Sequence, residues 1–283
     1  MVNFECFKVL KRVYLGRFFI YSKIIIDYNI EKKFLNLITV IESGNKIKIK
    51  IFDKVILSIK NRKRYSITGN GNKIIFFNQQ DEIVHDNLKL PFININIKGN
   101  NNIIRIPSTF YNGKFDAVIN LFIIGNGSTC VFGKDIGGVW NLSLWGDNNK
   151  FSVGENTACG DFSINLHGNT FIIGKDCMIS AQEELWTDGH SVIDDKTKEV
   201  LNLPDKATVI GDHCWIGRRV TLTKGAQIPN NCIVGIGSVV TKKFIEANCV
   251  IAGNPAKVVK QGINWDGRMP TLYYQEIQPK SKS

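Results

Sequence analysis

The sequence predicts a mainly β protein whose core is a parallel β-helix. Two repeated patterns lead to this fold class: units of six residues that recur through residues 209–256, and a Gly-Asn phrase that recurs upstream of them. A third observation, a stretch around His190 that fits neither pattern, predicts a loop extruded from the helix. With 283 residues, the chain is long enough to bury a large core.

The hexad units define the expected interior of the helix. Each unit starts with an aliphatic residue, and three units complete one coil, so the aliphatic residues should stack into a buried ladder. Successive coils then pair as parallel strands about 4.8 Å apart. The expected ladder positions are Ile210, Ile216, Leu222, Ile228, Val234, Ile245 and Ile251.

A small residue follows four positions after most of these aliphatic residues, and several are cysteines: Cys177, Cys214, Cys232 and Cys249. A small, soft side chain suits a narrow inward site. The seven cysteines include no C-x-x-C pair at zinc spacing. We therefore expect core cysteines and no metal site.

The Gly-Asn phrase indicates coil corners, because Gly and Asn tolerate positive φ angles and each phrase precedes an alternating strand. Its glycines are Gly44, Gly69, Gly99, Gly146 and Gly168. Solenoid-like structure should therefore extend, irregularly, toward the N-terminus. We expect an irregular, mostly β region at 1–110, which either caps or extends the solenoid, a β-helix domain at 111–260 and a C-terminal tail at 261–283.

The composition limits the classes of molecule that the protein is expected to bind. The net charge of +11 favours anionic partners such as nucleic acid, a membrane surface, an acidic glycan or a phosphate-rich cofactor. Nucleic-acid-binding motifs are absent from the sequence, so we predict no nucleic-acid partner. Basic residues interrupt the apolar N-terminal stretch, and no span of about 20 apolar residues results. We predict a cytoplasmic protein with at most peripheral membrane association.

Three motifs carry a family resemblance: WIG at Trp215, GIGSVVTK from Gly235 to Lys242, and AGNPAK from Ala252 to Lys257. With them, residues 168–260 resemble the C-terminal half of the hexapeptide-repeat acyltransferases, and most of all the sugar and cell-surface polysaccharide O-acetyltransferases. The resemblance implies a left-handed parallel β-helix and acetyl-CoA as the donor. It also implies a homotrimer with active sites between subunits.

His190 is the expected general base. Leu185 and Ile210 are separated by 25 residues, one more than four hexads, so residues 186–206 must loop out of the coil. In the resembled family the catalytic histidine lies at the mouth of such a loop in a D-G-H-[ST] setting, which residues 188–191 match. A sugar hydroxyl must lose its proton as it attacks, and a neutral imidazole is suited to accept it.

The remaining site residues follow mainly from the resemblance. Trp215 should act with His190 at the acetyl group, either supporting the oxyanion or packing against the donor. Trp186, Asp188 and His167 should contact the saccharide acceptor, whereas His213 should be solvated. Acetyl-CoA should contact Trp215, Gly235, Gly237, Ser238, Lys242, Lys243, Asn254 and Lys257.

These observations predict an acetyl-CoA-dependent O-acetyltransferase that modifies a hydroxyl of a cell-surface polysaccharide, such as a capsule, or of its precursor. The positive charge favours an acidic acceptor. Two alternatives stay open: an N-acetyltransferase of a nucleotide-linked amino sugar, and a non-catalytic glycan-binding solenoid. A metal-dependent hydratase on the same fold would need an H-x-x-x-x-H zinc pair, which the sequence lacks.

Overall fold

The computed structural model describes residues 38–43, 46–51, 54–60, 64–83, 93–108, 117–187, 190–204 and 206–277. The chain divides into two compact units, Met1–Arg62 and Lys63–Ser283. The expectations at Gly44, Asp188 and residues 1–37 therefore fall outside the described residues.

The first unit contains an antiparallel sheet of three strands in the order β1, β2, β3. These strands are β1 (Ile38–Ser43), β2 (Lys46–Ile51) and β3 (Lys54–Lys60). Short alternating sequences such as KIKIKI are typical of strands with two different faces.

The second unit is a parallel β-solenoid of about 6 turns, which confirms the predicted fold class. Its strands, numbered in chain order, form two sheets. The twelve-stranded sheet contains β4 (Arg64–Thr68), β6 (Ile93–Lys98), β8 (Ala117–Ile124), β10 (Gly137–Trp145), β12 (Ala158–His167), β14 (Met178–Trp186), β16 (Trp215–Ile216), β17 (Thr221–Thr223), β19 (Ile233–Val234), β20 (Val239–Val240), β21 (Cys249–Gly253) and β22 (Ala256–Gln261). The seven-stranded sheet contains β5 (Lys73–Phe77), β7 (Ile103–Pro107), β9 (Thr129–Phe132), β11 (Lys150–Val153), β13 (Thr170–Ile173), β15 (Thr208–Ile210) and β18 (Gln227–Ile228).

Each coil in the C-terminal half has three faces. The first residues of β14 pair with β16, and its last residues pair with β17. We call these two surfaces face 1 and face 2, and they belong to the twelve-stranded sheet. The seven-stranded sheet, in which β13 pairs with β15, forms face 3. Parallel pairing between strands of successive coils already occurs at β4, which pairs with β6 from Arg64 onward.

The interior ladder forms largely as the repeat predicts. Ile210, Ile216, Leu222, Ile228, Val234 and Ile251 are all buried. The expectation at Ile245 is wrong, because its side chain is 76% exposed while Phe244 is only 5% exposed. Val240 continues the interval of six after Val234, and the Phe244 amide then donates to the Gln227 carbonyl at 2.8 Å. The aromatic ring of Phe244 thus takes the inward place.

The cysteines belong to this interior. All six cysteines among the described residues are buried and free. The sulfur atoms of Cys232 and Cys249 lie 3.5 Å apart, so they stack in the narrow inward column expected for them. Burial raises the pKa of the Cys249 thiol to about 12. These cysteines therefore act as small core residues.

The Gly-Asn corners also form as predicted, with positive φ at Gly69, Gly99, Gly146 and Gly168. The corner glycines of adjacent coils stack closely: a methyl group on Gly99 would lie 1.9 Å from the Gly125 carbonyl oxygen, and one on Gly125 would lie 2.0 Å from that of Gly146. Only glycine permits this contact between backbones.

The chain ends, within the described residues, in the short helix α1 (Pro270–Ile277). The described part of the chain contains no helix with the length and apolar character needed to cross a bilayer.

We predict that Gly125→Ala lowers the free energy of unfolding by about 3 kcal/mol, because the methyl group would collide with a backbone carbonyl as well as strain φ. Gly237→Ala is the matched control, since Gly237 also has positive φ (67°) but a methyl group there has open space. The control should lose about 1 kcal/mol. Chemical denaturation measures both, and equal losses would show that the glycine stack is not constrained by contact.

Candidate active site

The loop that follows β14 carries His190. β14 ends at Trp186 and β15 begins at Thr208, so the chain leaves the solenoid where the break in the repeat predicts. Ile193 and Val200 form an antiparallel bridge within the loop. The Asn202 side chain accepts from the Val192 amide at 2.7 Å and donates to the His190 carbonyl at 2.8 Å. The loop is therefore a small hairpin whose open end is closed at His190.

Two contacts attach this hairpin to the coils. The Lys224 ammonium group, directly after β17, donates to the carbonyls of Asn202 (2.9 Å) and Leu203 (3.2 Å). Thr187 is buried at the other end of the loop, where its hydroxyl accepts from the His167 amide at 2.9 Å. The position of the loop is thus set by the coils on either side of it.

A pocket of about 230 Å³ lies between the hairpin and the coil. His190 and Ser191 line it from the loop, and His167 and Lys224 line it from the solenoid. The structure therefore brings together His190, the expected base, and His167, an expected acceptor contact. Trp186, another expected acceptor contact, is exposed on face 2 immediately before the loop.

His167 connects this pocket with face 2. It ends β12, and its ring stacks on that of Trp145 with centroids 6.4 Å apart and an interplanar angle of 13°. Trp145 in turn meets the ring of Phe122 edge-on at 5.3 Å. A row of aromatic rings thus runs from the pocket along the solenoid toward the N-terminal coils.

Trp215 does not line this pocket. It lies on face 1, where β16 pairs with the start of β14, and its ring is 41% exposed. The indole of Trp265 lies beside it at 6.3 Å. Within one chain, therefore, Trp215 lies on face 1, whereas His190 lies in the loop that follows face 2.

The expectation that His213 is solvated is wrong. The Trp265 ring stacks on its imidazole at 4.5 Å, and the Trp265 indole N–H donates to the His213 carbonyl at 2.8 Å. A His213 ring nitrogen also lies 3.1 Å from the Trp265 carbonyl oxygen. The segment after β22 thus packs back onto the solenoid beside Trp215, and this contact of the expected tail was not predictable from the repeat.

The expected donor residues lie on the last coils. Gly237 has an open left-handed backbone, whereas the hydroxyl of Ser238 is buried and donates to the Gly235 carbonyl at 2.7 Å. Ser238 is 0% exposed and its hydroxyl also accepts from the Gly253 amide at 3.1 Å, so the chain by itself does not present this expected donor contact to a ligand. Lys242, Lys243, Asn254 and Lys257 are exposed, the last two at or near the turn between β21 and β22.

The comparisons with known proteins agree with this architecture. No protein-family model matches the chain. A polysialic acid O-acetyltransferase of Neisseria meningitidis is 34% identical over 220 residues, which cover 76% of this chain and 86% of that protein. The chain belongs to the hexapeptide-repeat acyltransferases. This is the family of left-handed β-helix proteins that the repeat motifs resemble.

Two other relatives are similar over shorter segments. A polysialic acid O-acetyltransferase of Escherichia coli O1:K1 / APEC is 33% identical over 118 residues, and the galactoside O-acetyltransferase of Escherichia coli K12 is 33% identical over 119 residues. The matches cover 41% and 39% of this acyltransferase. The chain spans only 38% and 57% of the lengths of these two relatives.

The Glu183 carboxylate of this acyltransferase faces the interior and does not line the His190 pocket. The side chain is 1% exposed, and neither carboxylate oxygen has a hydrogen-bond partner among the described residues. Its pKa is raised to about 7, mainly by burial and also by the nearby charge of Asp161, while Arg218 opposes the shift. The Asp194 carboxylate accepts hydrogen bonds from the amides of Lys196 and Thr197 in its own turn.

We predict that Glu183 makes the fold less stable as the pH rises. Its folded pKa lies above the ordinary value of 4.5, so the folded state holds the proton more tightly and stability falls between about pH 4.5 and 7. The free energy of unfolding should fall by about 2 kcal/mol between pH 5 and pH 8 in the native protein. The substitution Glu183→Gln should remove this decrease. Denaturant titrations at both pH values measure the change.

The matched control is Glu184→Gln, since Glu184 is the adjacent residue and points outward. Its pH dependence should follow that of the native protein. Parallel stability profiles for Glu183→Gln and the native protein would contradict a raised pKa at Glu183.

We predict that Asn202→Ala loosens the His190 hairpin without unfolding the solenoid. It removes the acceptor of the Val192 amide and the donor to the His190 carbonyl, and a hydrogen bond of this kind contributes about 1 kcal/mol. Amide exchange at Val192 should accelerate about tenfold, as followed by hydrogen exchange. Asp195→Ala, an exposed change in the same loop, should leave that rate as it is; a similar rate in both variants would refute the role of Asn202.

Proposed function

We propose that the protein is an acetyl-CoA-dependent O-acetyltransferase acting on a hydroxyl of a cell-surface polysaccharide, such as a capsule, or of its precursor. The observation that carries the proposal is the similarity over 86% of a meningococcal polysialic acid O-acetyltransferase. The pocket beside His190 supports it, because the loop there places an imidazole and a hydroxyl group next to the solenoid wall. The relatives named above act on polysialic acid and galactosides, and a further one is named for lipopolysaccharide biosynthesis.

In this proposal the acceptor hydroxyl attacks the thioester carbonyl of acetyl-CoA directly. His190 takes the hydroxyl proton as the new C–O bond forms, and the carbonyl becomes a tetrahedral oxyanion. Collapse of this intermediate breaks the C–S bond and returns the proton to the CoA thiolate. The products are an acetyl ester and free CoA, so neither an oxidant nor a metal enters the balance.

The donor would lie against Trp215 and the last coils. Gly235 and Gly237 would border the pantetheine arm, with Asn254 at the adjacent hairpin. The phosphates of CoA would meet Lys242, Lys243 and Lys257, whose charged ends are exposed.

A homotrimer with active sites between subunits is part of the proposal. His190 lies in the loop after face 2, and Trp215 lies on face 1 outside the His190 pocket, so a site using both residues would take them from two chains. Packing face 1 of one subunit against the loop of another would meet that need. A cytoplasmic location would give such a trimer access to acetyl-CoA.

The acceptor side would consist of Trp186, His167 and Asp188 around the His190 pocket. The +11 net charge favours an acidic glycan, although part of that positive charge would serve to bind the phosphates of CoA. Polysialic acid is accordingly the first acceptor to test, followed by purified capsular and lipid-linked glycans. Acetyl incorporation is measured by mass spectrometry.

We predict that His190→Ala lowers turnover by about 10²-fold, the usual effect of removing a general base, while CoA still binds. Thiol release measures turnover, and calorimetry with CoA measures binding. Asp195→Ala, in the same loop but fully exposed, is the control and should retain activity. Unchanged turnover in His190→Ala would remove His190 from the mechanism, and no thiol release by the native protein with any glycan would favour a non-catalytic solenoid.

A further inference from the structure

A second groove lies on face 2 of the N-terminal coils, remote from the hairpin that carries His190. It has a volume of about 730 Å³, and strands β4, β6, β8 and β10 form its floor. Its lining includes Tyr65, Asn94, Asn96, Asn120, Phe122 and Asn141. Amide groups, hydroxyl groups and aromatic rings line it, and charged side chains do not.

The amides of this groove form a ladder across the coils. Asn94 donates to Asn120 at 2.7 Å, and Asn120 donates to Asn141 at 2.8 Å. An amide group has two N–H donors and two acceptor lone pairs, so each asparagine in the ladder uses only part of its hydrogen-bonding capacity. The Asn96 amide oxygen is shielded from solvent and has no hydrogen-bond partner among the described residues, so the accessible amides are those of the ladder. The groove thus offers a fixed row of neutral donors and acceptors.

A chain of aromatic contacts links the groove with the His190 pocket, although the two share no lining residue. Phe122, which lines the groove, contacts Trp145, and Trp145 stacks on His167 in the pocket. The outward residues of face 2 also stand in register from coil to coil, in a row formed by Trp186, Asn165, Ser143, Phe122 and Asn96. At about 4.8 Å per coil, this row extends over about 19 Å.

We infer that this row and its groove bind an extended chain of sugar residues, so that the acceptor is a polymer that lies along face 2 with one residue at His190. This inference rests on the proposed function. Sugar rings present apolar C–H faces that pack on aromatic rings, and their hydroxyl and amide groups match the asparagine ladder. A monosaccharide or a short precursor would fill the 230 Å³ pocket and leave this surface unused.

The flank of the row suits an acidic polymer. Lys98 is exposed and stands in the register row of Ile124, Trp145 and His167. This row lies next to the row that contains Phe122. A carboxylate on a sugar bound over Phe122 would therefore have the Lys98 ammonium group nearby. The neutral groove would hold the sugar rings, and the lysine would face the charged substituents.

The test compares sialic acid oligomers of two and eight residues as acceptors. The native protein should use the longer oligomer with a kcat/KM at least about tenfold higher, since only that oligomer reaches the aromatic ring of Phe122 and the asparagine ladder. In Phe122→Ala the ratio of the two kcat/KM values should fall toward one, and in Asn94→Ala it should fall in part. Ile172→Ala, which removes an exposed apolar side chain from face 3, is the matched control and should keep the native ratio.

Calorimetry with the eight-residue oligomer separates this inference from the proposed function. If the native protein binds that oligomer and Phe122→Ala binds it at least tenfold more weakly, the groove binds glycan even when no acetyl group is transferred. If acetyl is transferred but the length ratio is near one in the native protein, or is unchanged in Phe122→Ala and Asn94→Ala, the inference is overturned. It is also overturned if the native protein fails to bind the oligomer, or if Phe122→Ala changes the oligomeric state in light scattering, since a second copy would then occupy the groove.

Discussion

The pairing of each coil with the next through parallel backbone hydrogen bonds is the constraint on which the rest of this structure depends. It requires that corners of adjacent coils approach closely, and the stacked backbones of Gly99, Gly125 and Gly146 show how closely. It also requires that each inward position receive a side chain of fitting size, which the column containing Cys232 and Cys249 satisfies. Because each coil is held by both neighbours, the stack is a rigid frame on which outward side chains keep a fixed spacing.

The rigid frame of coils and the hairpin attached to it differ in how firmly they hold their side chains. The coils fix rows of outward residues, such as the one through Phe122 and Trp186, whereas the hairpin at His190 is attached by a few polar contacts. Loops of this kind can open more easily than the core beneath them, which suits a region that admits and releases ligands. Trp215 lies on face 1 and does not line the pocket beneath that loop.

The sequence predicted what depends on local periodicity. The ladder from Ile210 to Val234, the glycine corners and the position of the loop all follow from residue spacing, since a break in an interval of six has few structural solutions. The prediction failed at Ile245, because nothing in the local sequence shows that Phe244, and not Ile245, is the inward residue. The sequence also did not predict that Trp265 stacks on His213 or that Lys224 binds the loop. These contacts join residues far apart in sequence and depend on which surfaces the folded coils place side by side.

Hydrogen bonds from the end of β12 and from Lys224, directly after β17, attach the His190 hairpin to the coils. Coils could therefore be gained or lost at the N-terminal end of the stack while these attachments stay in place. In such a design the reach along a substrate and the chemistry performed on it can evolve as separate traits within one continuous chain.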